Sequence, residues 1–361
     1  TSQNSDAKIV ATGGLNVSVG TGGLSLTGLS ATTNSTSAAV QSTSIASLEG
    51  ATLALNVLGD VTIQGGTASA TGGIQGPDLF GADATAKIVS AADFAPKIGG
   101  NLTISGGATT AGVGGNARSQ GLLQGGGLSL DLTVGKNLSI DNSKATATAT
   151  SAGSIADSQA LLKASGNKTL TIGGNWTITG GNASVNSAAA AATTVASTDF
   201  GIATASDLLA NVVGGISLTA GFESGGSTAL SSAAMLAGGE IKLNTGAAGL
   251  TITGNKFPLS FASSQPYIGL VQVLPTLPPI ILNGGDGSHP PITVNITGAG
   301  IHFIFDASRG FAVVLSGLPT NCGVGCDPAN DLLNKANKEM GTKTDEVNAA
   351  KHDNPSGKLC K

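Results

Sequence analysis

Three cysteines stand in the last forty residues: Cys322 and Cys326 flank Gly323-Val324-Gly325, and Cys360 is one residue from the end. Thiolates at this spacing could bind zinc, but a closed zinc site takes four ligands, and His352 is the fourth ligand in view. A disulfide asks for only two sulfurs and suits an oxidising compartment, so a disulfide is the expectation. Cys360 could bridge to Cys322 or to Cys326 and lash down the tail, or Cys322 and Cys326 could close a tight loop. One thiol is left over in each case. The three histidines, His289, His302 and His352, are scattered. His302 lies in an apolar strand-like run, where a satisfied buried or edge histidine is expected rather than a ligand. No metal or cofactor is expected.

The other chemistry-bearing patterns are weak. No Gly-x-Ser-x-Gly elbow with triad partners stands out. Enzymes that act on acidic polysaccharides cluster Asp, Arg or Lys on one face, whereas here the acidic residues read as sparse and without a common period. Asn283-Gly284-Gly285-Asp286-Gly287 is similar to glycine/aspartate calcium repeats but occurs once, which reads as a plain turn. Thr146, Thr148 and Thr150 form a ladder that could suit an ice surface, though other copies do not repeat it in register. There are eight Asn-x-Ser/Thr sequons. Asn101, Asn137 and Asn175 share one position of a repeat, which predicts a stacked internal or corner asparagine ladder rather than glycosylation.

That repeat is the organising feature. Gly173-Gly174-Asn175-Trp176-Thr177-Ile178-Thr179-Gly180-Gly181 has relatives at Gly22–Gly28, Gly59–Gly66, Gly99–Gly107, Gly135–Ile140 and Gly214–Thr219. Their last apolar residues are Leu26, Ile63, Ile104, Ile140, Ile178 and Leu218, at steps of 37, 41, 36, 38 and 40. Two shorter steps follow, to Leu243 and to Ile252. A fixed period of this size marks a repeat architecture. Apolar/polar alternation is strand periodicity with one buried face, and glycine supplies the corners. So short a strand cannot bury its apolar face alone, but stacked copies can. The expected fold is all-β, a parallel β-helix. A second strand often precedes the motif, as at Leu53–Val57, Leu128–Val134 and Leu170–Ile172, and the rest of each period is rich in Ala, Ser and Thr. This predicts about two coils per period and a rod of roughly 60 Å, or half that if a period is one large coil.

Composition agrees. Glycine is 55 of 361 residues without a collagen period. Aromatics are 3% and charged residues 11%, so the core must come from thin layers of Leu, Ile, Val and Ala. A net charge of −4 argues against a nucleic-acid partner. No apolar run is long enough to span a membrane as a helix. The chain begins Thr1-Ser2-Gln3 without methionine, which reads as a processed, secreted product.

In chain order, residues 1–14 read as an N-terminal arm, cap or first coil, and 15–255 as the repeat array. Loops are expected at Gly76–Gly81 and Thr198–Gly201. The character changes near Lys256: ten of the 12 prolines and five of the nine phenylalanines lie beyond residue 255. Residues 256–320 read as a β-rich cap or coupling region, because an open solenoid end is an edge that must be covered or used. Its candidate assembly residues are Ile292, Val294, Ile296, Phe303, Phe305, Phe311, Val313 and Leu315. Residues 321–361 read as a cysteine-containing charged tail with a short helix that Asp327 can cap, Pro328 standing in its first turn.

The Gly-Asn-Leu-Thr-Ile-Ser-Gly-Gly repeats over residues 15–254 resemble those of the bacterial filamentous haemagglutinin family of secreted adhesins. The resemblance implies a right-handed parallel β-helix, exported for adhesion, aggregation or biofilm matrix. The family's N-terminal secretion domain with Asn-Pro-Asn motifs does not occur in these residues, and the chain is short for an adhesin. The expectation is therefore a secreted structural subunit that polymerises with itself head to tail. A monomeric adhesin bound to a polysaccharide or cell surface is the alternative, and a polysaccharide lyase or hydrolase a remote one.

Overall fold

The computed structural model describes residues 2–34, 41–71, 80–112, 115–142, 146–149, 155–185, 191–200, 207–219, 221, 223–224, 228–237, 241–246, 248, 250–254, 266–270, 280–284, 292–296 and 315–316. Among these residues every regular element is a strand, and every strand pairing is parallel. The chain is an all-β parallel β-solenoid, compatible with a β-helix repeat family.

Each coil has three sides. The glycine-bracketed motifs form the middle side, an eight-stranded sheet running from Leu24–Thr27 through Val61–Gln64, Leu102–Ser105, Leu138–Asp141, Trp176–Thr179, Ile216–Thr219 and Leu250–Gly254 to Ile292–Ile296. The narrow side is a six-stranded sheet that includes Ala68–Thr71, Thr109–Ala111 and Thr146–Ala149. The long side is a 17-stranded sheet with two arms per coil, for example Asn116–Gly125 and Ser129–Val134.

One period is therefore one large coil, not two. Leu53–Val57 lies in Ala46–Val57 and pairs with Leu15–Val19, a full period back, rather than with the adjacent Val61–Gln64. The glycine corner between two neighbouring strands turns the chain onto a new side of the same coil, so sequence neighbours pack across the core instead of stacking. The eight described strands of the middle side at ~4.8 Å span roughly 34 Å. Two further expectations change. Ile241–Thr245, which looks like a motif copy ending at Leu243, stacks in the long side against Leu208–Val212, while Leu250–Gly254 supplies the middle strand. Phe80 and Thr198–Phe200, expected in loops, lie in long-side strands whose ladders extend to them. The arm at Ala7–Val19 pairs with Ala46–Val57 and belongs to the first coil.

Alternation decides burial. On the middle side Leu102, Ile104, Leu138, Ile140, Trp176 and Ile178 are fully buried, while the residues between them face outward. They pack against both arms of the long side in one continuous apolar core. A second core, almost entirely alanine, lies where the narrow side meets the first half of the long arm: Ala68, Ala70, Ala82, Ala84, Ala111 and Ala117 are all fully buried. Small side chains fill this layer, and Val185 is the largest residue in the cluster.

A polar seam divides the two cores. Ser44, Ala84, Ser119, Ser158 and Thr194 occupy one inward column of the long arm, and the corner between middle and narrow sides folds in against it. Ser44 Oγ donates to the Leu29 carbonyl (2.5 Å) and accepts from Gly66 N (3.0 Å). Asn142 Oδ1 accepts from Gly106 N (2.8 Å), and its Nδ2 donates to the Ser119 and Gln159 carbonyls (3.2 and 2.6 Å). Gly107 N donates to Ala84 O (3.1 Å), and a Cβ on Gly107 would be driven into the Gly66 carbonyl oxygen. Gly107→Ala is expected to destabilise the protein strongly, because backbone cannot yield. Gly13→Ala, where a Cβ meets nothing within 4 Å, should change the melting temperature little. Thermal denaturation followed by circular dichroism compares the two, and equal effects would contradict this packing.

Candidate functional site

The corner before the middle side carries a side-chain ladder. Asp60, Asn101, Asn137 and Asn175 each precede the first apolar residue of a middle strand and stack one above another. Asp60 Oδ1 accepts from Asn101 N (2.7 Å) and Asn101 Nδ2 (3.2 Å). Asn101 Oδ1 accepts from Asn137 N (3.2 Å) and Nδ2 (3.1 Å). Asn137 Oδ1 accepts from Asn175 N (2.8 Å), and Asn175 Oδ1 from Gly215 N (3.0 Å). The ladder lies on the outside of the corner and satisfies amides that the turn leaves without strand partners. Its direction is chemical: a carboxylate only accepts, so Asp60 ends the chain of donors. Asn137→Ala should lower stability by about 1 kcal/mol, the usual net worth of such a bond. Denaturant unfolding measures it, and an unchanged midpoint would mean that water replaces the ladder freely.

The outward face of the long arm holds a second arrangement. Register places Thr43, Asp83, Arg118 and Asp157 in one column and Thr85, Gln120 and Gln159 in the next. Arg118 Nη2 pairs with Asp83 Oδ2. Thr85 Oγ1 donates to Asp83 Oδ1 (2.5 Å), Gln120 Nε2 to Gln159 Oε1 (2.9 Å), and Gln159 Nε2 to Asp157 Oδ2 (2.8 Å). Although they face away from the core, Asp83 and Asp157 are only 5% and 9% exposed. Burial pushes the Asp157 carboxyl up to about 6 from 3.8, with Asp83 adding to the rise and Gln159, Arg118 and Lys163 opposing it.

The expectation that acidic residues share no coil period is corrected here. Asp83, Arg118 and Asp157 are spaced at the coil repeat, as are Gln120 and Gln159, and comparing outward positions of successive periods would have found them. The threonine ladder needs correction as well. Thr148 stacks with Thr110 and Ser184, and Thr110 with Ser69, so the narrow side does repeat a hydroxyl in register. The middle side carries a longer such column: Ser25, Thr62, Thr103, Ser139, Thr177 and Ser217, continued in register by Thr251 and Thr293.

Of the assembly residues read from sequence, Ile292, Val294 and Ile296 lie in the strand paired with Leu250–Gly254. Leu315 pairs with Ile280. Phe303, Phe305, Phe311, Val313, Cys322, Cys326 and Cys360 lie outside the described residues, as does the tail expected to be helical. Among the described residues no group of three or more His, Cys, Asp and Glu is placed to hold a metal ion, and no helix is long and apolar enough to cross a membrane. No family model, curated protein or solved structure matches the chain.

Asp157 makes stability depend on pH. Its folded pKa lies above its unfolded value, so the folded state holds the proton more tightly. Its contribution is present below about pH 4 and is lost as pH rises through about 6, by up to about 3 kcal/mol. Asp157→Asn should raise the urea midpoint at pH 7.5 and flatten its change between pH 4.5 and 7.5. A variant that keeps the wild-type pH profile would remove Asp157 from this role.

Proposed function

We propose that the chain is a structural subunit, secreted and assembled end to end into an extracellular fibre or matrix. The observation that carries this reading is the first coil. Its strands Ala7–Val19, Leu24–Thr27 and Ala31–Asn34 pair with the second coil alone among the described residues. Its inward residues Ile9, Leu15, Val17, Val19, Leu24 and Leu26 are only partly buried, whereas their counterparts one coil on are fully covered. A strand edge that pairs on one side alone among the described residues, beside a half-exposed apolar layer, is a template for a further rung.

Towards the other end the long side runs on through Ile280–Gly284 to Leu315–Ser316, and the last described strand of the middle side is Ile292–Ile296. Ile280–Gly284 and Ile292–Ile296 continue the long and middle sides, so Ile280, Leu282, Ile292 and Val294 occupy the register of core columns. A head-to-tail contact of this kind is heterologous and does not close on itself, which is the geometry of a filament. On this reading residues 256–320 are the coupling end and the cysteine tail is held by a disulfide. The coil is right-handed, the hand taken by about 98% of parallel crossovers. The role is architectural, with no catalytic step assigned.

Purified chain is expected to form filaments with an axial repeat of at least roughly 43 Å per copy, the nine described rungs of the long side at ~4.8 Å. Leu15→Lys with Val17→Lys, which places charge on the open layer, should leave a folded monomer. Electron microscopy and analytical ultracentrifugation decide the matter. A monomer that persists at high concentration with no filaments rejects the reading.

A further inference from the structure

We propose that Arg118 is a proton-operated clasp on the outward face of the long arm. While Asp157 carries a proton, Arg118 is held by Asp83; once Asp157 has lost it, the guanidinium is shared between the two carboxylates and joins three successive rungs. The three side chains stand in one column of the parallel ladder, with Arg118 one rung from Asp83 and one rung from Asp157. Each step is ~4.8 Å, within reach of a planar guanidinium with its fork of N–H donors. The two carboxylates are unequally served. Asp83 accepts from Thr85 Oγ1 on one oxygen and pairs with Arg118 Nη2 on the other. Asp157 accepts from Gln159 Nε2 on Oδ2, whereas its Oδ1 is buried with no hydrogen-bond partner among the described residues, and the residue is only 9% exposed.

That inequality sets the direction of the exchange. An ionised carboxylate oxygen buried without a donor is costly, and either a proton or a cation relieves it. In acid the proton does so, and Arg118 stays with Asp83. When the proton leaves, Arg118 is the cation in the same column, and a charge-assisted hydrogen bond to Oδ1 takes the proton's place. The other charged groups on this face are placed differently. Lys163, farther along the strand of Asp157, stands in register with Gln124 and Asp199, and Thr193 stands opposite Asp157 on that next strand. Lys87, on the strand of Asp83, pairs with Glu49. Gln120 Nε2 donates to Gln159 Oε1 (2.9 Å) and keeps Gln159 in place, so Oδ2 is occupied in both states. Burial first, and then the like charge of Asp83, push the Asp157 carboxyl up to about 6, so the exchange falls between mildly acidic and neutral pH. The clasp belongs to the single chain and does not depend on assembly.

The test follows the full wild-type chain by NMR from pH 4.5 to 7.5, reading the side-chain carboxyl carbons of Asp83 and Asp157 and the Nε of Arg118. Asp83→Asn and Asp157→Asn supply the assignments. The Asp83 and Arg118 signals are expected to shift with the midpoint of Asp157, near pH 6, and to lose that transition in Asp157→Asn. Crystals grown at the two ends of the range read the exchange directly: Arg118 on Asp83 alone in acid, and on both carboxylates at pH 7.5. An Asp157 that titrates while Asp83 and Arg118 stay flat, or the same Arg118 contacts at both pH values, overturns the clasp and leaves a buried carboxyl that changes charge alone. An Asp157 that does not titrate in this range overturns it as well.

Discussion

The structure depends on parallel backbone pairing between one coil and the next. A short strand such as Leu138–Asp141 has no stability alone; it is held by Leu102–Ser105 on one edge and Trp176–Thr179 on the other. That pairing obliges each coil to present the same side-chain parity at each height. Ile104, Ile140, Ile178 and Leu218 consequently form one column, as do the serines and threonines beside them. Extra residues are absorbed inside the long-side ladder as register shifts, between Ala11 and Gly14 and at Gly81 opposite Asn116 and Ala117.

Stacking in register also amplifies polar groups. One asparagine at an exposed corner contributes little, but at successive corners the side chains cap one another's backbone amides. The same rule brings Asp83, Arg118 and Asp157 together across three rungs, where they are shielded although they face outward. One cation lies between two carboxylates, and burial leaves Asp157 the easier to protonate. The inward seam at Ser44, Ser119 and Asn142 works in reverse. There hydrogen bonds and glycines bring a corner onto the long side, and the core narrows to alanine.

A fold of this kind is one-dimensional, so its ends and its flat sides are its main means of contact. Among the described residues the first coil keeps a half-covered apolar layer and strands that pair on one side alone. On the proposed reading, contact between copies would extend the same repeat that builds the coil.

Much of this was legible in the sequence. Alternation between glycines determined strands, inward and outward faces and a parallel stack, because those follow from side-chain parity and the size of the repeat. Asn101, Asn137 and Asn175 were visible for the same reason: they keep one offset from the motif. What the sequence left open was decided by how far the chain travels before it returns. Ile241-Lys242-Leu243 and Leu250-Thr251-Ile252 have the same local pattern, yet they lie on different sides, since side assignment depends on which rung each meets across space. The same distance hid the Asp83–Arg118–Asp157 row, whose members stand a full coil apart and become neighbours only when one period closes as one turn.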